Sequence, residues 1–193
     1  MRVVKNSADT IHTDATDLTG VSIHANLQLL LEAPDATSKA QCIDESQIRH
    51  CCLTTLSLQT KLDLAMVRHI ELSIQFVDSY AMQSLNEQYR GKNSPTNVLS
   101  FESQMPPMML SDSAADGALQ VLGDLVFCQD VVHREAQEQN KTPEHHWKHL
   151  FVHGTLHLCG YDHVEPGQAD AMESLEIQIL SVLGIPDPYG ISE

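Results

Sequence analysis

The stretch HGTLHLCGYDH runs from His153 to His163 and also contains His157. The three histidines follow the pattern H-x3-H-x2-G-x2-H. If residues 142–159 form a helix, His153 and His157 leave the same face, with Cβ atoms about 6 Å apart. Gly160 tolerates the left-handed conformation that ends many helices, so the chain can turn there and bring His163 to the same point. The spacing predicts three neutral imidazoles around one divalent cation, the ligand set of an open tetrahedral zinc site with water in the fourth position.

The chain contains 11 histidines, and a single helical histidine is usually a surface or core residue. We keep that interpretation for His145, His146 and His149. For the three histidines of the motif, the spacing, the helix breaker and the histidine in the turn together favour a metal site over coincidence. Cys159 follows His157 by two residues and should point away from that helix face, so its role as a ligand is the less favoured alternative.

The same spacing occurs in zinc metallopeptidases, whose motif H-E-x-x-H-x-x-G-x-x-H carries a glutamate general base after the first histidine. Here that position is Gly154. A peptidase would therefore have to recruit its base from elsewhere in the chain.

Three segments closely resemble the YbeY family of bacterial metal-dependent endoribonucleases: HGTLHLCGYDH, the tripeptide DPY at 187–189, and LNEQYRGKNSPTNVLSF at 85–101. The resemblance covers roughly residues 20–190. It implies a single-strand-specific endoribonuclease that acts in ribosomal RNA maturation, including processing of the 16S rRNA 3′ end, and in ribosome quality control. The implied partners are single-stranded RNA, the small ribosomal subunit and its assembly factors, with neither DNA nor a membrane.

The resemblance also implies that Arg90 is functionally essential. We expect it to bind phosphate or to stabilise the charge that develops on phosphoryl oxygens during cleavage. An arginine at a helix C-terminus can equally stabilise the helix dipole and donate hydrogen bonds to the last carbonyl groups of the helix. Asp162, beside His163, is predicted either to assist the metal site as a hydrogen-bond partner or proton acceptor, or only to stabilise the turn.

The predicted ion is zinc, although nickel and cobalt also accept three imidazoles. With three neutral ligands zinc keeps its full charge and lowers the pKa of a bound water toward about 7, which removes the need for a glutamate at 154. The alternative from a different class is a non-catalytic ribosome-assembly adaptor with a structural metal. The acidic composition favours that alternative, but structural zinc normally has four protein ligands, and three are evident here.

The composition is that of one globular domain, with 193 residues, 42% hydrophobic and 19% charged. No apolar run approaches the roughly 20 residues of a membrane helix, and the N-terminal stretch MRVVKNSADTIHTD lacks the apolar core of a secretory signal. We therefore expect a cytoplasmic protein. The 5 cysteines form no C-x-x-C pair.

The formal net charge of −15 is unusual for an RNA enzyme, because lysine and arginine supply most non-specific affinity for phosphates. All 11 of these residues lie at or before Lys148. An RNA groove must therefore be lined by the earlier part of the chain, and the candidate cations are Arg90, Lys92, Arg134, Lys141 and Lys148. For all of them except Arg90, an ordinary surface charge is the commoner role.

The hydrophobic periodicity predicts an α+β fold, a single domain in which a small mixed sheet of about four strands packs against helices, with the metal-binding helix ending at Gly160. Residues 1–19 should form a flexible arm and residues 20–193 the endoribonuclease domain. The predicted strands are 20–32, 67–77, 96–102 and 119–127, and the predicted helices are 44–60, 78–90, 130–140, 142–159 and 166–183. The stretch 104–118, rich in Met and Pro, is predicted to be a mobile loop; contact with RNA or a protein partner is the alternative.

Overall fold

The computed structural model describes residues 26–32, 43–65, 67–110 and 117–190. Within these ranges the elements are, in chain order, β1 (Asn26–Glu32), α1 (Glu45–Leu58), β2 (Val67–Val77), α2 (Ser79–Arg90), β3 (Val98–Glu102), β4 (Met108–Met109), β5 (Ala118–Cys128), α3 (Gln129–Glu138), α4 (Pro143–Leu158) and α5 (Pro166–Val182). The predicted arm at 1–19 and the start of the predicted strand 20–32 lie outside the described residues. Among the helices named here, none combines the length and the apolar character that crossing a membrane requires.

The sheet is mixed, as predicted. Strand β2 lies between β1 and β5 and is parallel to both. Strands β3 and β4 run antiparallel to β5 and follow one another along its other edge. The α+β prediction is thereby confirmed, with one strand more than the four predicted.

The additional strand corrects part of the predicted mobile loop over 104–118, because residues 108–109 pair with the sheet. Residues 111–116 of that stretch lie outside the described residues. Met108 and Met109 form β4 and pair with Leu119 and Ala118 at the start of β5. This part of the β5 edge is not occupied by β3, which pairs with β5 only over residues 123–127. The unpaired backbone groups of β5 there offer a template for a short strand, which side-chain patterns do not reveal.

Side chains of β5 alternate between two apolar layers. Leu125 and Phe127 point into the larger core, which contains the buried faces of α1, α4 and α5. Val126 and Cys128 point to the other side, where Met82 of α2 packs. The motif helix α4 and the Arg90 helix α2 therefore cover opposite faces of the sheet.

Aromatic side chains fix α4 on the sheet. Trp147 and Phe151 are both fully buried, and the Phe127 ring lies 5.5 Å from Trp147 and 4.5 Å from Phe151 between ring centroids. Fully burying one such side chain contributes about 1.5–3 kcal/mol. These contacts hold the helix that carries the first two motif histidines.

Close packing of β3 on β5 requires a glycine at position 123. The φ angle of Gly123 is +130°, and a Cβ built there would lie 2.1 Å from the carbonyl oxygen of Phe101. Backbone on both strands would have to move to admit a methyl group, because a backbone oxygen cannot rotate away as a side chain can.

We expect Gly123→Ala to lower the free energy of unfolding by at least about 3 kcal/mol, since it combines a clash with an unfavourable φ. The matched control is Gly167→Ala in α5, where a Cβ meets nothing within 4 Å and the change should stay within about 1 kcal/mol. Urea unfolding measures both. Equal stability of the two variants would contradict this packing.

Candidate metal centre

The start and end of α4 follow the sequence signals. Thr142 caps the helix by accepting a hydrogen bond from the His145 amide at 3.2 Å, and Pro143 occupies the first turn, where its missing N–H leaves no bond unmade. The helix ends at Leu158, and Gly160 follows with a φ of 84°, in the left-handed region. The predicted turn is therefore present.

The three motif histidines converge at this end of α4. The Nε2 atoms of His153 and His157 are 3.1 Å apart. The His163 ring centroid lies 5.5 Å from that of His153 and 5.0 Å from that of His157. One ligand atom from each residue falls within 4.8 Å of the others, so the three rings can share one cation with little adjustment.

Hydrogen bonds at the far ring nitrogens set the tautomers of the first two histidines. His153 Nδ1–H donates to Glu176 Oε1 at 2.6 Å, and His157 Nδ1–H donates to the carbonyl of Tyr161 at 2.9 Å. Both Nε2 atoms then carry lone pairs, which is the arrangement of metal-ligating histidines. Two lone pairs that face each other at 3.1 Å repel unless a cation lies between them, so these residues fit a bound metal ion.

The buried carboxylate of Glu176 is the residue that sequence analysis missed. Its side chain is 1% exposed, and it accepts hydrogen bonds from His153, from His149 Nε2 at 3.3 Å, and from the Tyr189 hydroxyl. Burial raises the pKa of this carboxyl, but the hydrogen bonds from His149 and His153 outweigh burial and lower the pKa to about 2. Glu176 is therefore held ionised and orients both imidazoles.

A sequence signal for Glu176 exists in retrospect. On α5 it lies four residues after Met172 and three before Ile179, both of which are buried. It therefore sits on the apolar face, where an unpaired carboxylate is rarely tolerated. His149 and Tyr189 both donate hydrogen bonds to the Glu176 carboxylate and therefore also lie next to the site. Sequence analysis treated His149 as an ordinary surface or core residue.

The protonation state of His157 suits metal binding. Its pKa is lowered to about 4, first by burial and then by the neighbouring His153 and His163. The imidazole is therefore neutral at pH 7, and a metal ion need not displace a proton from it.

Gly154 lies where a metallopeptidase carries its general base. A Cβ at this position would be 2.9 Å from a methyl group of Leu125 and 3.5 Å from the Ser100 hydroxyl. The position faces the sheet, so a glutamate side chain there would have to displace Leu125 in the core. The sequence has no peptidase base at 154, and the packing disfavours one.

Cys159 and Asp162, the two other polar candidates of the motif, both make contacts that stabilise the fold. Cys159 is 5% exposed and belongs to the main core, and burial raises the pKa of its thiol to about 12, which disfavours the thiolate that a metal binds. Asp162 Oδ1 accepts a hydrogen bond from the His163 amide at 2.7 Å. This contact stabilises the turn that presents His163.

Arg90 ends α2 and is exposed. Its side chain forms no hydrogen bond or ion pair with any residue in the described part of the chain, the three histidines included. The Arg90 guanidinium is thus available to a ligand. The loop after Arg90 leads to Asn97, whose Nδ2 donates to Glu135 Oε2 at 2.9 Å.

The other candidate cations differ in their surroundings. Lys148 pairs with Glu144 at 2.7 Å, and the exposed Arg134 lies 3.8 Å from Glu138. Lys141 Nζ donates to the carbonyl of Pro188 at 2.9 Å.

Lys141 also lines a cavity of about 330 Å³ next to the histidines, which we call the side pocket. Its lining consists of Asn97, Glu135, Gln139, Lys141, His146, His149, Leu150, His153, Pro188 and Tyr189. Because His153 belongs to both, the side pocket and the three-histidine group are contiguous. Of the five candidate cations, Lys141 alone is among these lining residues.

The fold and the site define an α+β protein with an open three-histidine centre at a helix end. Residues 34–184 match the family described as "Endoribonuclease YbeY". Among curated relatives, a Halorhodospira halophila protein named "Endoribonuclease YbeY" is 51% identical over 119 residues, which are 62% of this chain and 74% of that protein. The family match spans far more than half of the chain, so the chain belongs to the YbeY family.

A Thermotoga maritima protein of known solution structure is 21% identical to this chain, with a TM-score of 0.44. The similarity covers 86% of this chain and 99% of that one. A likeness at this level adds nothing to the family assignment.

We expect Glu176→Gln to weaken zinc binding by roughly 10–100-fold, the usual effect of losing a carboxylate that orients a ligating histidine. The matched control is Glu173→Gln, an exposed residue of the same helix, which should bind zinc as the wild type does. Competition with a chromophoric chelator measures both affinities. Wild-type affinity in Glu176→Gln would contradict the orienting role of this carboxylate.

Proposed function

We propose that this protein is a metal-dependent endoribonuclease that cuts single-stranded RNA, with His153, His157 and His163 as the metal ligands. The observation that carries the proposal is the pair of Nε2 atoms 3.1 Å apart, each on a ring held through its Nδ1. The 51% identical relative named as an endoribonuclease supports RNA as the substrate.

Zinc is the proposed ion, and nickel or cobalt would fit the same donors. Such an ion supplies positive charge that acidifies a water molecule and polarises a phosphoryl oxygen. The chain orients the donors: Glu176 fixes His153, and the Tyr161 carbonyl fixes His157. Tyr161 is itself held, because its hydroxyl accepts a hydrogen bond from the Thr60 amide at 3.0 Å.

Access for a substrate comes from the side of His163. This residue is exposed, while His153 and His157 are half-buried. A fourth ligand position can therefore face solvent, as catalytic sites require and closed structural sites do not allow. This openness disfavours the alternative of a non-catalytic ribosome-assembly adaptor with a structural metal.

Arg90 is the proposed electrostatic partner of the metal. A guanidinium with no described partner can bind a phosphate through two parallel hydrogen bonds and stabilise charge on its oxygens. Because α2 and α4 cover opposite faces of the sheet, we propose that RNA reaches Arg90 along the loop from Gly91 to Asn97.

In the cell we propose ribosomal RNA as the substrate, including the 16S 3′ end, with a role in ribosome quality control. The proposed partners are the small ribosomal subunit and its assembly factors, in the cytoplasm. Residues 20–193 are the proposed catalytic domain, preceded by an arm at 1–19. With a net charge of −15, the protein would gain little from non-specific attraction to phosphates, so selection of its substrate must rest on local contacts.

We expect purified protein to cut single-stranded RNA, and His157→Ala to lose both metal and cutting. Arg90→Ala should keep its metal and cut roughly 10- to 100-fold more slowly, the effect of losing one charge-assisted contact to a phosphate. Cleavage assays with zinc analysis and melting curves test these variants.

The control is Arg68→Ala, another exposed arginine, whose guanidinium donates, among the described residues, to the backbone carbonyls of Ala65 and Val67. It should cut RNA at the wild-type rate. A wild-type protein that carries zinc and binds small subunits but leaves RNA intact would overturn the enzyme and support the adaptor.

A further inference from the structure

The side pocket lies outside the group of His153, His157 and His163 but shares His153 with it. Its volume of about 330 Å³ is at the lower end of the roughly 300–1,000 Å³ of small-molecule sites. A cavity of this size admits one base, and unstacked bases are what proteins read in single-stranded RNA. The inference below rests on the proposed function, because it concerns the RNA that this site would cut.

One side of the pocket presents a fixed acceptor, Glu135. Its Oε2 accepts hydrogen bonds from Asn97 Nδ2 and His146 Nε2, both at 2.9 Å. Burial raises the pKa of this carboxyl, but hydrogen bonds from His146 and Asn97 outweigh burial, and the pKa lies below its usual value. Among the described residues, none bonds to Oε1, so this oxygen can accept from a ligand.

The same pocket presents a donor and an aromatic ring. Lys141 Nζ uses one of its three N–H groups on Pro188. The Tyr189 side chain is held at its hydroxyl by Glu176, its ring lies 5.6 Å from that of His149, and the residue remains 43% exposed. A ring fixed in this way offers a surface on which a base can stack.

Two buried ring nitrogens in the lining are unsatisfied. His146 Nδ1 and His149 Nδ1 have no hydrogen-bond partner among the described residues, and the His146 side chain is 4% exposed. These two nitrogens are buried beneath the surface of the pocket, where an enclosed water molecule could satisfy them, and the ligand contacts proposed below do not use them.

We propose that the side pocket binds a guanine base of the substrate RNA and thereby selects which phosphate reaches the metal centre. Guanine offers two neighbouring donors, N1–H and the N2 amino group, which can both bond to the free Oε1 of Glu135, and it offers an ammonium group two acceptors, O6 and N7. Glu135 and Lys141 supply these two complements. Uracil has a single ring N–H to offer, and cytosine and adenine each have one amino group, so all three pair less completely.

The direct test is binding of the four nucleoside 5′-monophosphates to the full chain, measured by isothermal titration calorimetry. Guanosine monophosphate should bind at least roughly tenfold more tightly than the other three. In Glu135→Gln this preference should disappear, while Glu138→Gln, the same change one turn further along α3 on an exposed residue paired with Arg134, should keep it. Equal binding of the four nucleotides to the wild type, or equal effects of the two substitutions, would overturn the proposal.

A second variant tests the pocket even if Glu135→Gln does not fold, and the mapping of cut sites distinguishes the guanine pocket from the endoribonuclease activity. Lys141→Met should weaken binding of guanosine monophosphate, and unchanged affinity in that variant would overturn the pocket assignment. Cut sites mapped on a mixed-sequence RNA should lie at a fixed distance from guanine. Cutting without that bias would overturn the pocket but leave the endoribonuclease, whereas selective nucleotide binding without any cutting would overturn only the endoribonuclease.

Discussion

A buried carboxylate determines the geometry of the site. Glu176 lies on the apolar face of α5, and taking a carboxylate out of water costs several kcal/mol unless donors surround it. His153, His149 and Tyr189 are those donors. The same contacts connect α5, α4 and the segment around residue 189, so the fold and the orientation of His153 are established together.

This coupling places two histidines of one helix in the arrangement of a chelating pair. On an isolated helix the two imidazoles would turn freely and their near nitrogens would avoid each other. Here His153 is held by Glu176 and His157 by the Tyr161 carbonyl, so the two Nε2 atoms stay face to face at 3.1 Å. The repulsion between their lone pairs is relieved when a cation binds, which makes the unliganded arrangement a preorganised one.

Sequence analysis could predict features that are local in the chain. The caps of α4, the turn at Gly160 and the convergence of the three histidines follow from spacing and residue type over some twenty residues. Glu176 was missed because its hydrogen bonds to α4 depend on how two helices pack, although its position between Met172 and Ile179 was a usable signal. Strand β4 was not predicted, because Met108 and Met109 carry no strand pattern. The strand forms because the edge of β5 is free there.

Sequence analysis could not predict the side pocket either, because its lining comes from four separate parts of the chain. Asn97 precedes β3, Glu135 lies on α3, His146 and His149 lie on α4, and Tyr189 follows α5. The structure also separates the candidate cations by their surroundings, which composition alone cannot do. Lys148 is neutralised by a neighbour on its own helix, whereas Lys141 lines the pocket beside the three histidines.

X-ray absorption spectroscopy of the zinc-loaded chain tests the central claim most directly. Three imidazoles and one solvent oxygen should give only nitrogen and oxygen scatterers at about 2.0–2.1 Å, with the imidazole contribution equivalent to three rings and reduced in His163→Ala. A sulfur scatterer near 2.3 Å, or a fourth protein ligand that closes the coordination sphere, would contradict an open centre of three histidines.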